Sequence, residues 1–100
     1  MTRATAQLSE KGEGRCALSG ALTFETAPWL WQQLRQGAWL DKAREADLSG
    51  VTDADSAGLA LLIAWRAAAG AGGGVLRFQS PPERLLALAR ITEAESLLQG

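Results

Sequence analysis

Asp53 and Asp55 are the residues to test first for chemistry, because two nearby carboxylates can share acid and base roles. They stand on a loop that runs into a helix. Carboxylates are favoured there by free N–H groups and the helix dipole, so capping is preferred to acid–base work. The chain has no histidine. That removes the commonest general base, the commonest zinc ligand and the usual pH switch. Its single cysteine, Cys16, lies beside Ala17 and Leu18 and reads as a buried core thiol. One cysteine and no histidine leave no metal cluster and no Ser-His-Asp or Cys-His set. The run Gly70-Ala71-Gly72-Gly73-Gly74 follows a helix and precedes a strand, the wrong order for a phosphate loop, and it reads as a linker. These absences predict a protein that is not an enzyme and carries no cofactor.

The composition narrows the remaining classes. One hundred residues, 47% of them apolar, suit one globular domain over 1–100. The formal net charge is −1, and the 10 basic residues are dispersed. Nucleic acid and bare anionic lipid both call for clustered cations. The N-terminal residues lack the apolar stretch of a signal peptide, and no apolar run is long enough to span a bilayer. The reading is a cytoplasmic protein without direct membrane insertion.

The elements that must position the polar residues run β-β-α-β-α-β-α. A first strand around Gln7, Leu8 and Ser9 turns through Lys11-Gly12-Glu13-Gly14 into a strand from Arg15 to Ser19, ended by Gly20. Thr26 is the expected N-cap of a helix from Ala27 to about Gln36, with Pro28 in its first turn and Gly37 at its end. Glu45 to Ser49 forms a strand. Asp55 or Ser56 caps a helix that runs to about Ala69. Val75 to Gln79 is a strand, and Ser80 with Glu83 makes a capping-box pattern for a helix carrying Leu85, Leu86, Leu88 and Ala89. The segment Ala94 to Leu98 closes the chain. Alternating strands and helices predict an α/β fold, a mixed sheet of four to five strands.

The informative stretch runs from Asp47 to Leu62: a strand ending Asp47-Leu48-Ser49, five residues, then Asp55-Ser56-Ala57-Gly58 opening an apolar helix. It resembles the STAS family, domains of sulfate transporters and anti-sigma factor antagonists, in which a strand ending Asp-Leu precedes Asp-Ser-Ser/Thr-Gly at a helix start. Leu18-Ser19-Gly20-Ala21-Leu22 is similar to the family's early Leu-x-Gly-x-Leu, and Leu85 to Ile91 to its late helix. The resemblance implies a single STAS domain with helices mainly on one face of the sheet. It also implies that the loop and following helix form a docking surface. Anti-sigma factor antagonists of the family are phosphorylated on the second hydroxyl of the motif. This chain has Ala57 there, so that switch is missing, which suits a permanent partner. The departure is shared with MlaB-like members, as is Leu59-Ala60-Leu61-Leu62. Those members bind the ATPase subunit of an ABC complex, built with a permease and a lipid-binding protein, that moves phospholipids and maintains outer-membrane lipid asymmetry. By that resemblance Ser56 matches the Ser/Thr needed for ATPase binding; as a plain N-cap it would contribute only about 1 kcal/mol.

The helix from Gly58 to Ala69 is apolar nearly all round. Leu59, Leu62 and Ile63 form one stripe, expected to cover the sheet. Leu61, Trp65 and Ala68 form another on the opposite side, expected to meet a partner. Arg66 falls within the first stripe; it either snorkels past the sheet edge or marks the two faces as reversed. Trp31 belongs to the core with Leu34. Core is also preferred for Trp29 and Trp39, with exposed contact as the alternative.

Two functions follow. In the first, a subunit peripheral to the inner membrane docks on the ATPase through Asp55, Ser56, Ala57, Gly58, Leu61 and Trp65. In the second, an antagonist sequesters an anti-sigma factor, with Ser56 as a displaced phosphoacceptor. A small-ligand sensor is a third, which no feature of the sequence marks.

Overall fold

The computed structural model describes residues 5–92 and Leu98. Eight elements appear in the order β1 (Ala6–Gly12), β2 (Arg15–Leu22), α1 (Ala27–Gln36), α2 (Trp39–Lys42), β3 (Glu45–Ala54), α3 (Ser56–Ala71), β4 (Arg77–Gln79) and α4 (Glu83–Ile91). The four strands form one mixed sheet in the order β1-β2-β3-β4; β1 and β2 are an antiparallel hairpin, and β3 and β4 continue in parallel. Both parallel crossovers step in the same direction along the sheet. The right-handed crossover rule then sends α1–α2 and α3 to the same face.

Side-chain alternation agrees. Cys16, Leu18 and Leu22 of β2, Ala46 and Leu48 of β3 and Phe78 of β4 are buried under the helices with Leu30, Leu34, Leu59, Leu62, Leu85 and Ala89. The other face carries Gln7, Ser9, Arg15, Ser19, Glu45, Asp47, Arg77 and Gln79, the residues between those positions.

Strands β2 and β3 run past their sequence-based bounds, each for its own reason. Strand β3 has ten residues against eight in β2. Its register slips twice, between the pairs Ala17–Asp47 and Ser19–Gly50 and between Gly20–Val51 and Ala21–Asp53. Each slip inserts one extra residue in β3, a bulge. Val51 and Ala54 thereby stay inward after Leu48, although strict alternation fails after Ser49. Strand β2 likewise continues through Gly20, which has φ of 85°. A Cβ there would sit 2.3 Å from the Thr5 carbonyl oxygen, so glycine lets β1 and β2 stay paired.

Short α2 was not foreseen. It enters from Ala38, which has φ of 61°, and buries Trp39. Lys42 Nζ lies 4.3 Å from the centre of that indole, a cation–π contact. The capping box at α4 is not formed. Pro82 occupies the N-cap position without a side-chain bond, Ser80 turns through φ of 53°, and Glu83 instead pairs with Arg90 at 2.9 Å. The expected segment Ala94 to Leu98 lies outside the described residues except Leu98, which is buried.

Candidate functional site

Parallel β2 and β3 both deliver a helix start at the same end of the sheet, where such folds place their binding sites. The β2–α1 loop (residues 23–26) and the β3–α3 junction meet there. Asp55 is the knot. Its backbone N–H donates to the Leu22 carbonyl at 3.1 Å. Its Oδ1 accepts from Ala57 N at 2.9 Å and Gly58 N at 3.1 Å, and Oδ2 accepts from Phe24 N at 3.0 Å. Asp55, not Ser56, is therefore the N-cap of α3; Ser56 is the first helical residue, with its side chain exposed. From α4, Arg84 Nε donates to the Ala54 carbonyl at 2.7 Å and pairs with Asp53 Oδ1 at 3.1 Å. Asp53 is thus an ion-pair partner of Arg84 rather than half of an acid–base pair.

Partial burial pushes the Asp55 carboxyl up, but the N–H donors of Phe24, Gly58 and Ala57 and the charge of Arg84 outweigh it and leave the group below its ordinary range. Asp47 is lowered as well, first by the Ser49 N–H that it accepts at 2.9 Å. A depressed folded pKa adds stability above the unfolded value, about 4, which is lost as pH falls through the folded value. Thermal melts are expected to show Tm falling with acidification below about pH 4, with part of that slope removed by Asp55→Asn.

Thr26 occupies the N-cap position of α1 but does not cap through its side chain. Its hydroxyl donates to the Ala21 carbonyl at 2.6 Å and accepts from Thr23 N at 3.0 Å. The buried hydroxyl ties the loop to the end of β2 instead.

Gly58 brings α3 against β2. A Cβ at this position would lie 2.0 Å from the Leu22 carbonyl oxygen. The last residue of the Asp-Ser-x-Gly motif is thus demanded by close approach of helix and strand.

The expected division of α3 into two faces is corrected by the structure. Leu59 and Leu62 do cover the sheet, but Leu61 is only 5% exposed and Trp65 is 0% exposed. Trp65 Nε1 donates to the Trp39 carbonyl at 3.0 Å, and its ring meets Phe78 edge-on at 6.0 Å. Leu61 and Trp65 are core residues. The outward face carries Ser56, Ala60, Ala64 and Ala67, with Ile63 and Arg66 partly exposed at its margin. Ala57 is also partly exposed, and Gly58 is buried. Among the tryptophans, Trp39 is buried and Trp31 packs against the core, whereas Trp29, in the first turn of α1, is 46% exposed. Phe24 on the neighbouring loop is 70% exposed. Sequence reasoning missed Phe24 altogether; two aromatics flanking the start of the first helix were the available signal.

Cys16 is buried as expected, and its thiol donates to the Glu45 carbonyl at 3.7 Å. Burial pushes the thiol up to about 12 against a smaller opposing pull from Lys42. Alkylation of the folded protein at pH 8 is expected to run at least about a hundredfold slower than that of the denatured chain, measured by intact mass.

A family model described as "Mlab, STAS domain" matches residues 6–99. The chain belongs to the STAS domain family. Its fold agrees. The unphosphorylated anti-sigma factor antagonist SpoIIAA superposes with a TM-score of 0.73 at 11% identity, over 95% of this STAS domain chain and 86% of that one. The phosphorylated form of the Bacillus cell fate determinant SpoIIAA superposes with a TM-score of 0.66, also at 11% identity, over 95% and 89% of the two chains. No curated protein matches the chain. In this STAS domain, among the described residues, no helix is long and apolar enough to cross a membrane, and no group of three or more Cys, Asp or Glu could hold a metal. Two open depressions, of about 510 Å³ and 540 Å³, have charged linings that include Arg15, Glu45 and Asp47 in one and Asp41, Arg44 and Arg77 in the other.

Proposed function

We propose that this chain is a non-catalytic STAS subunit that docks on the cytoplasmic ATPase of a phospholipid-moving ABC transporter and stabilises or activates it. The observation that carries the reading is the junction where the Phe24 loop is tied to the start of α3, with Phe24, Ser56 and the outward face of α3 exposed there and Trp29 exposed in the first turn of the neighbouring α1. Exposed aromatics near a shallow, small-residue helix start suit an interface whose anchors fill pockets on a partner. The MlaB description of the matching family favours the transporter partner. So does Ala57, which leaves no hydroxyl at the second motif position. The docking residues in this reading are Phe24, Trp29, Ser56, Ala57, Ala60 and Ala64. Leu61 and Trp65 support that surface from beneath.

In this reading the chain sits in the cytoplasm and reaches the membrane through its partner. Binding of the purified chain to the purified ATPase, followed by calorimetry, tests it. Trp29→Ala and Phe24→Ala are each expected to weaken binding about tenfold or more while leaving the melting temperature nearly unchanged. Wild-type affinity in both variants sinks this surface.

A second reading, an anti-sigma factor antagonist, is favoured by the SpoIIAA-like fold and by the exposed Ser56 side chain in the first turn of α3. Incubation with the serine kinase of an anti-sigma system and ATP separates the two. Phosphate on Ser56 supports the antagonist; an unchanged intact mass supports the transporter subunit.

A further inference from the structure

The Asp55 carboxylate does more than cap a helix. Oδ1 is engaged by the first-turn N–H groups of Ala57 and Gly58, while Oδ2 reaches across to the Phe24 N–H on a different connection, 31 residues away in sequence. Capping uses only the first oxygen; the second ties the β2–α1 loop to the start of α3. Phe24 has little else to fix it. Its side chain is 70% exposed, so packing does not set where the ring stands, and its backbone must. On either side, Thr26 knots the loop to Ala21 and Thr23, and the Asp55 N–H bonds the Leu22 carbonyl. Phe24 is held between these two anchors by the Oδ2 bond.

We infer that Asp55 is a positioning residue for the docking surface: it fixes Phe24 in register with the outward face of α3 and does not itself meet the partner. This rests on the docking reading above. It also departs from the sequence-based expectation that Asp55 binds the partner directly. With both oxygens committed to N–H donors of its own chain, Asp55 offers a partner less than the residue it holds. A loop fixed in the bound conformation loses less freedom on association than a mobile one.

The chemistry supplies clean variants. Asparagine and serine are N-caps comparable to aspartate. Asp55→Asn keeps one oxygen for the α3 N–H groups but presents an NH₂ where Oδ2 stood, donor against donor, to Phe24. Asp55→Ser keeps a cap and cannot span to Phe24. Both separate the cap from the tie.

Two measurements on the full chain test the inference. The first is amide hydrogen exchange by NMR. In Asp55→Asn and Asp55→Ser the Phe24 amide is expected to exchange about tenfold faster or more, with Leu59 and Leu62 in α3 unchanged. An unchanged Phe24 amide overturns the tie. The second is a double-mutant cycle on affinity for the purified ATPase. Asp55→Asn is expected to weaken binding severalfold alone and to add nothing in the Phe24→Ala background, because its effect passes through that residue. Additive losses overturn the positioning role and return Asp55 to direct contact. No binding by the wild-type chain overturns the docking reading, and this inference with it.

Discussion

Gly58→Ala is expected to destabilise the chain severely. A methyl group at this position meets backbone, not a movable side chain: the Leu22 carbonyl oxygen would lie 2.0 Å away and the carbonyl carbon 2.6 Å. Alanine would otherwise favour the helix by about 1 kcal/mol, so the sign of the result separates propensity from packing. To admit the Cβ, the first turn of α3 must withdraw from the end of β2. That withdrawal breaks the bond from Asp55 N to Leu22 and disturbs the cap on Ala57 and Gly58. A loss of about 4 kcal/mol or more follows, against a total of about 5–15 kcal/mol for a domain. Urea unfolding of the variant should show a midpoint far below that of wild type. A midpoint equal to wild type would mean that the helix start is not seated where the structure puts it.

Trp65→Ala is expected to cost about 3–5 kcal/mol of stability. The indole is fully buried between Phe78 and the α2 segment, and its N–H satisfies the Trp39 carbonyl. Removal leaves a cavity and deletes a buried hydrogen bond at once. Trp65→Phe should recover most of the packing and still lose about 1 kcal/mol for the missing N–H. Denaturant titration of the three proteins measures both steps. An exposed docking tryptophan would behave otherwise: stability near wild type and a defect only in partner binding. The contrast with Trp29→Ala, expected to bind poorly but melt normally, sets the core tryptophan apart from the surface one.

How far the sequence discloses this molecule depends on the residue type at each place. The motif from Asp47 to Gly58 was legible because its spacing is set by a strand end, a junction and a helix start, and each of those has a chemical signature. Which oxygen Asp55 gives to which donor was not, since Phe24 is distant in sequence. Helix α3 defeated the face assignment because period analysis sees apolar against polar, and this helix is apolar almost throughout. Size carries the information instead. Leu59, Leu61, Leu62, Trp65 and Ala69 span one buried arc of roughly 160° at 100° per residue, and the small Ala60, Ala64 and Ala67 face outward. Arg66 near the middle of the first stripe was the warning. Strand β3 was cut short at Ser49 because its two bulges break the alternation that marks a strand. Helix α2 has four residues, too few for a period. Thr26 and Ser80 have the right types for caps, but tertiary structure gives them other work: the Thr26 hydroxyl serves β2, and Ser80 lies in a left-handed turn.

The central claim is that the exposed Phe24–Trp29–Ser56 end of this STAS domain is the seat of an ABC ATPase. Affinity purification of the tagged chain from its native cells tests it most directly, with wild type compared against the Phe24→Ala/Trp29→Ala double variant and the bound proteins identified by mass spectrometry. The account predicts an ABC ATPase and its permease with wild type, both lost from a variant that still folds. Recovery of an anti-sigma factor in their place, or of the same ATPase with the variant at wild-type yield, would contradict it.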